Sequence, residues 1–206
     1  SDFKGLESES KFEAYNKLKD PNFESDSKPL KLKVRLGVFA GITNIIYSVN
    51  PNNESLPLLG FDFEIIDNNH LKRHALVLQF KQLFESSAYE YSSSEFSFNY
   101  RFKFVKTKKL DVFINTKFAS YSSVSTLFYD KDGNLINEDG EPIEEGESPV
   151  NNDSSDFKFD VYFGLGADYA LGNGYLTFNY NDIVSLTQKT NGEFPLEFTL
   201  GYKFNL

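Results

Sequence analysis

The sequence predicts an all-β chain: an eight-stranded antiparallel up-and-down transmembrane β-barrel with its apolar face outward and a polar, charged lumen. Three observations carry that prediction. From Lys31 onward, apolar and polar residues alternate with period two in eight segments, as in strands whose two faces meet different surroundings. The connections between those segments alternate long and short, as expected of hairpins in a closed sheet. The apolar face holds roughly 40 side chains, many of them Phe or Tyr, too much bulk for the interior of eight strands.

Residues 1–30 precede the pattern. They are charged and mixed, with Pro21 and Pro29, and Lys11–Leu18 could form two turns of helix without a long apolar stripe. A flexible or loosely docked tail is expected. No charged-then-apolar segment opens the sequence, so Ser1 is expected to be either a processed terminus or an arbitrary edge.

The first strand, Lys31–Ile42, sets Leu32, Val34, Leu36, Val38, Ala40 and Ile42 against Lys31, Lys33, Arg35, Gly37, Phe39 and Gly41. The second sets Leu59, Phe61, Phe63 and Ile65 against Gly60, Asp62 and Glu64. In the third, Leu76, Leu78, Phe80 and Phe84 oppose Gln79, Lys81 and Glu85. The fourth is cleanest: Phe96, Phe98, Tyr100, Phe102 and Phe104 oppose Glu95, Ser97, Asn99, Arg101 and Lys103. Leu110, Val112, Ile114 and Phe118 then oppose Asp111, Asn115 and Lys117. The sixth strand is expected to run unbroken over 157–168, with Lys158, Asp160, Gly164, Gly166 and Asp168 on its polar face. Leu176, Phe178 and Tyr180 mark the seventh, and Leu196 to Leu206 the eighth, with Glu197, Thr199, Gly201 and Lys203 opposite.

Long connections are expected at 49–57, 86–94, 122–156 and 182–193, and shorter ones at 67–73, 107–109 and 171–174. Several strands pass ten residues, and a tilted membrane strand needs ~9–11. No Lys, Arg, Asp or Glu interrupts the apolar positions; on a lipid face each would cost ~2–4 kcal/mol at the midplane. Gln82, Thr116 and Ser120 are the polar exceptions. A soluble lipocalin-like barrel alternates too, but turns its apolar face inward.

Composition excludes several activities. There is no cysteine, hence no disulfide framework or thiolate site. Mean hydropathy is negative, −0.42, and no run approaches the ~20 apolar residues of a membrane helix. Of 30 acids, ten lie in 122–156 against Lys131 alone, a net of −9 equal to the formal charge of the whole chain. The rest is balanced, without a basic face for nucleic acid.

The last segment, Leu200-Gly-Tyr-Lys-Phe-Asn-Leu206, resembles the C-terminal assembly signal of bacterial outer-membrane proteins through Gly201, Phe204 and Leu206. It departs from that signal at Leu200, where a polar residue is usual, and at Leu206, where an aromatic is commoner. With the strand pattern before it, the chain resembles the small barrels of the OmpA type, the outer-membrane β-barrel domain family. The resemblance implies insertion by the outer-membrane assembly machinery; the long and short connections place both chain ends, residues 1–30 among them, on the periplasmic side of the lipid bilayer, and the acidic segment is expected to be a contact surface for a partner or for lipopolysaccharide. It fixes no activity.

Three groups of residues are candidate sites. The lumen brings together Lys33, Arg35, Lys81, Arg101, Lys103, Lys117, Lys158 and Lys203 with Asp62, Glu64, Glu95, Asp111, Asp160, Asp168 and Glu197; a packed salt-bridge plug is expected over an ion path, because buried charges need partners. Asp130, Asp132 and Asn134 resemble the start of a calcium loop, but Gly133 falls at its fourth position rather than its sixth. A hairpin turn there explains the same residues, and no metal or cofactor is expected. His70 and His74, the two histidines, fall in or beside a short turn rather than at the outer rim where a barrel hydrolase needs them. The expectation is a non-enzymatic scaffold or accessory subunit of an envelope complex for secretion, uptake or barrel assembly. A narrow channel or carrier for a small apolar ligand is the alternative.

Overall fold

The structure is a computed structural model that describes residues 14–21, 31–130, 132, 134–144 and 147–206. Two units separate, 1–30 and 31–206. In the first, residues 14–19 are helical, overlapping the expected helix at 14–18 and passing its end by one residue, and Asp20 N–H donates to the Asn16 carbonyl at 2.8 Å. Most of the expectation for this tail falls outside the described residues.

Residues 31–206 form a closed barrel. Its strands are β1 (Leu32–Thr43), β2 (Leu56–Asp67), β3 (His74–Leu83), β4 (Tyr91–Lys106), β5 (Leu110–Leu127), β6 (Asn151–Lys158), β7 (Tyr162–Leu171), β8 (Gly174–Ser185) and β9 (Glu197–Asn205). Every pairing is antiparallel, each strand pairs with the next along the chain except that β5 pairs with both β6 and β7, and β9 closes on β1 from Arg35↔Asn205 to Thr43↔Glu197. Closure is obligatory in hydrocarbon, where an open edge leaves backbone groups without partners.

The wall has eight positions, because β6 and β7 share one. β7 pairs the lower part of β5 (Lys117↔Tyr162) and β6 its upper part (Ser120↔Lys158), so three residues, Phe159–Val161, face two on β5. The expected continuous sixth strand is therefore broken. Asp160 sits at the break and accepts from Gln188 Nε2 at 3.0 Å, and Lys158 is exposed. Both leave the expected lumen set: the extra residue ends the alternation on which their assignment rested.

A second correction concerns β5. The β4–β5 ladder slips between Phe98/Asn99, skipping Phe118. The inward phase moves from Lys117 to Ser120, which is buried, so Ser120 is not a polar residue on the lipid face. The third concerns the acidic segment, whose two ends are strand: residues 120–127 pair with 151–158. Their Ser- and Asn-rich composition hides a ladder that has no apolar face to alternate.

The alternation elsewhere has the expected sense. Val38, Leu59, Leu78, Phe96, Phe102, Leu165, Phe178 and Leu200 are exposed on the outer surface, with Phe159 74% exposed. Arg35, Glu64, Arg101, Lys103, Asp168 and Lys203 are at most 2% exposed inside. A water-facing surface of this kind would be inverted, so the wall is built to face lipid.

Candidate functional site

The lumen is filled in layers, and strand register sets each layer. Nearest the short turns, β1, β2, β4, β5, β7 and β9 deliver four cations and four carboxylates. Glu64 is the hub: Lys103 Nζ lies 2.8 Å from its carboxylate, Lys203 Nζ 3.5 Å, Arg35 Nη1 3.6 Å and Arg101 Nη1 3.8 Å. Around it, Arg101 donates to Asp62 at 2.8 Å, Lys203 to Asp168 at 2.7 Å and Lys103 to Asp111 at 3.2 Å. The Glu64 oxygens accept no well-angled hydrogen bond. A ring of positive charge, rather than a directed bond, holds them.

Two phenylalanines seal the layer above. Phe39 stands in register with Gly60 on one side and Gly201 on the other, and Phe113 with Gly166. A Cβ at Gly60 or Gly166 would strike the facing ring, so glycine here makes room for a ring laid across the neighbouring strand. Arg101 and Lys203 each stand 5.0 Å from the centre of the Phe113 ring, within cation–π range. Asn115 donates to Asn99 at 3.2 Å and Asn99 to Ser97 at 3.0 Å, filling the same level with neutral hydrogen bonds.

Toward the long loops a second charged layer has two cations and three acids. Lys81 lies 3.0 Å from Glu197, 3.6 Å from Glu95 and 3.8 Å from Asp182; Lys117 lies 2.7 Å from Asp182 and 3.2 Å from Glu95. Asp182, expected to open a loop, is instead inside β8, at φ 46 in a stretch where three β8 residues face one of β7. Its turn toward the lumen follows from that irregularity. Charge balance is the signal that could have found it, because the expected network was short of acids. This layer floors a cavity of about 170 Å³ opening among the long loops, walled by Asn44, Tyr47, Tyr91, Tyr162 and Asn181 among others.

An apolar cluster runs from Phe39 up to part of this mouth, where Leu56, Leu58, Leu83, Tyr89 and Tyr91, missed by the alternation, pack together. The Tyr89 hydroxyl donates to the Val49 carbonyl, and burial pushes its phenol well above the usual range.

The other expected site residues are dispersed. Lys33 stands at the short-turn mouth, 5.6 Å from the Tyr175 ring, without an ion pair among the described residues. Asp130 closes the loop hairpin, its carboxylate accepting from the N–H groups of Asp132 and Asn134 at 2.8 Å each and from Asn134 Nδ2 at 3.0 Å. Among the described residues no three His, Asp or Glu converge as metal ligands. His70 pairs with Asp67 at 3.1 Å, and His74 with the Tyr100 hydroxyl; no serine hydroxyl joins either histidine among the described residues. Gly201 lies inside against Phe39, while Phe204 and Leu206 point outward.

The fold and its lumen define a small, closed, plugged transmembrane β-barrel. Among solved structures it is similar to the N-terminal β-barrel domain of Pseudomonas aeruginosa OprF, with TM-score 0.49 and 11% identity over 84% of this chain and 97% of that one. It is also similar to Neisserial surface protein A, NspA (TM-score 0.44, 8% identity, 87% and 99% covered). Ail, the attachment invasion locus protein of Yersinia pestis, gives TM-score 0.46 and 10% identity over 87% and 100%. No protein-family model and no curated protein matches the chain. The barrel assignment rests on this chain's own strand pairing.

Proposed function

We propose that the chain is an integral barrel of a bacterial outer membrane, serving as a non-enzymatic scaffold or accessory subunit of an envelope complex. One contrast carries the reading: the lumen is plugged, while the wall extends past the membrane as a sheet with a free edge. β5 has 18 residues and β4 16, against the ~9–11 that cross a bilayer. Their upper ends carry β6, which pairs with β5 on one side and with no other strand among the described residues. Unpaired strand edges recruit other chains, and this one borders the acidic loop. In this reading the long loops face the cell exterior and lipopolysaccharide, the short turns and chain ends face the periplasm, and Gly201, Phe204 and Leu206 address the chain to the assembly machinery.

Blue-native electrophoresis of gently solubilised membranes tests this. The intact protein is expected in an assembly larger than itself, and a variant shortened between Ser122 and Asp156 as a monomer. A monomer in both cases overturns the scaffold reading. The mouth cavity favours one second reading, a carrier of a small ligand; a molecule copurifying in mass spectra, or stepwise conductance in planar bilayers, would favour that instead.

A further inference from the structure

Charge outside the lumen is sorted by end. The loops on the long side hold Glu54, Glu85, Glu90, Glu138, Asp139 and further acids, with few bases. The short-turn end reverses this. Lys72 and Arg73 lie in the β2–β3 turn, Lys108 and Lys109 in the β4–β5 turn, and Lys31 just before β1; all five are exposed. Asp67 is the acid on these turns, and His70 already holds it. Lys31, Lys72, Lys108 and Lys109 make no ion pair among the described residues, whereas Arg73 donates to the Lys103 and Phe104 carbonyls at 3.2 and 2.7 Å. Apolar side chains are interleaved with this basic collar: Leu32 is 57% exposed, Leu71 55% and Leu206 72%. Tyr100, Tyr169 and Tyr202 stand on the outer wall just inside it, as at a membrane interface.

We propose that this collar binds the headgroups of anionic glycerophospholipids, such as phosphatidylglycerol, in the leaflet on the short-turn side. The inference rests on the membrane reading above. A ligand for this surface has to satisfy fixed positive charge and the apolar wall beside it together. A free phosphate or an acidic protein matches the lysines and leaves Leu32, Leu71 and Leu206 facing water. A phospholipid lays its phosphate against Lys72, Lys108 and Lys109 and its chains along the wall. The lysine stems reach past the apolar edge while the ammonium stays at the headgroup level, and each such cation near an anionic surface attracts it appreciably.

Spin-labelled lipids in vesicles of phosphatidylcholine carrying the refolded protein test the proposal. The immobilised boundary fraction is read by electron spin resonance for labelled phosphatidylglycerol and labelled phosphatidylcholine. Phosphatidylglycerol is expected to be enriched at the boundary by about fivefold, falling toward parity as salt rises to roughly 1 M. The combined variant Lys72→Gln, Lys108→Gln and Lys109→Gln is expected to lose the preference. A loop variant, Glu138→Gln with Glu141→Gln and Glu144→Gln, is expected to keep it. A boundary fraction that takes both lipids equally, the outcome also expected if the collar serves an acidic protein, overturns this proposal and leaves the membrane reading standing. No boundary fraction for either lipid overturns both.

Discussion

The two charged layers of the lumen are built from the same residue types and differ in balance and access. The lower layer matches four cations with four carboxylates, with Glu64 and Lys103 fully buried. The upper sets Lys81 and Lys117 among Glu95, Asp182 and Glu197, beneath a cavity open to the loops. Charges withdrawn from water have to be neutralised locally, and the lower layer meets that demand in full. The upper layer tolerates an unmatched acid because water reaches it. One layer is a plug and the other a floor.

Breaking the hub gives the largest expected effect. Glu64→Gln leaves four buried cations facing three carboxylates, and a loss of about 3–5 kcal/mol is expected in urea unfolding from lipid vesicles. The matching change above, Glu197→Gln, leaves two cations facing two acids, so no charge is stranded, and a loss of about 1–2 kcal/mol is expected for the weakened hydrogen bonds from Lys81. Equal losses at the two positions would erase the distinction between the layers.

The partition between them comes next. Gly166→Val drives a side chain into the Phe113 ring and Asn179, with an expected loss of about 1–3 kcal/mol by the same measurement.

At the mouth, Tyr89→Phe removes the hydrogen bond to the Val49 carbonyl, and about 1 kcal/mol is expected to go with it. The phenol's raised pKa gives this a pH signature. Its protonated form is favoured by the fold, so the contribution is complete below the unfolded tyrosine value of about 10. It is lost as pH climbs through the higher folded value. Unfolding curves of the two proteins should therefore converge above pH about 10. A constant gap would place Tyr89 in water.

Asp153→Asn with Asp156→Asn, on the exposed β6, is expected to move stability by no more than about 0.5 kcal/mol, so any effect on assembly would report contact rather than folding.

Much of the wall was legible in the sequence because lipid on one side and a packed lumen on the other impose period two. Phe96 to Phe104 on β4 could be assigned to the outer face residue by residue. What escaped is what breaks the period. One extra residue at Phe118 turns Ser120 inward, one more within Phe159–Val161 splits a strand, and the irregularity at Asp182 puts a carboxylate where a loop was expected. Bulges of this kind leave no mark in the alternation itself. The ladder of Ser122–Thr126 with Asn152–Asp156 escaped for the opposite reason, since both its faces are polar. The lumen charges on regular strands were legible; the apolar mouth cluster was not, because Leu56 and Leu58 precede the expected second strand and Leu83 sits at a polar-phase position of the third.

The orientation of the wall carries the whole account, and the chain's lack of tryptophan makes it directly measurable. Single replacements Phe98→Trp, Phe102→Trp and Phe178→Trp put the fluorophore on the outer face, and Phe39→Trp and Phe113→Trp put it in the lumen. In vesicles of lipids brominated along their acyl chains, the first three are expected to be strongly quenched and the last two to keep their emission. Quenching of the lumen pair with bright outer positions would contradict the account.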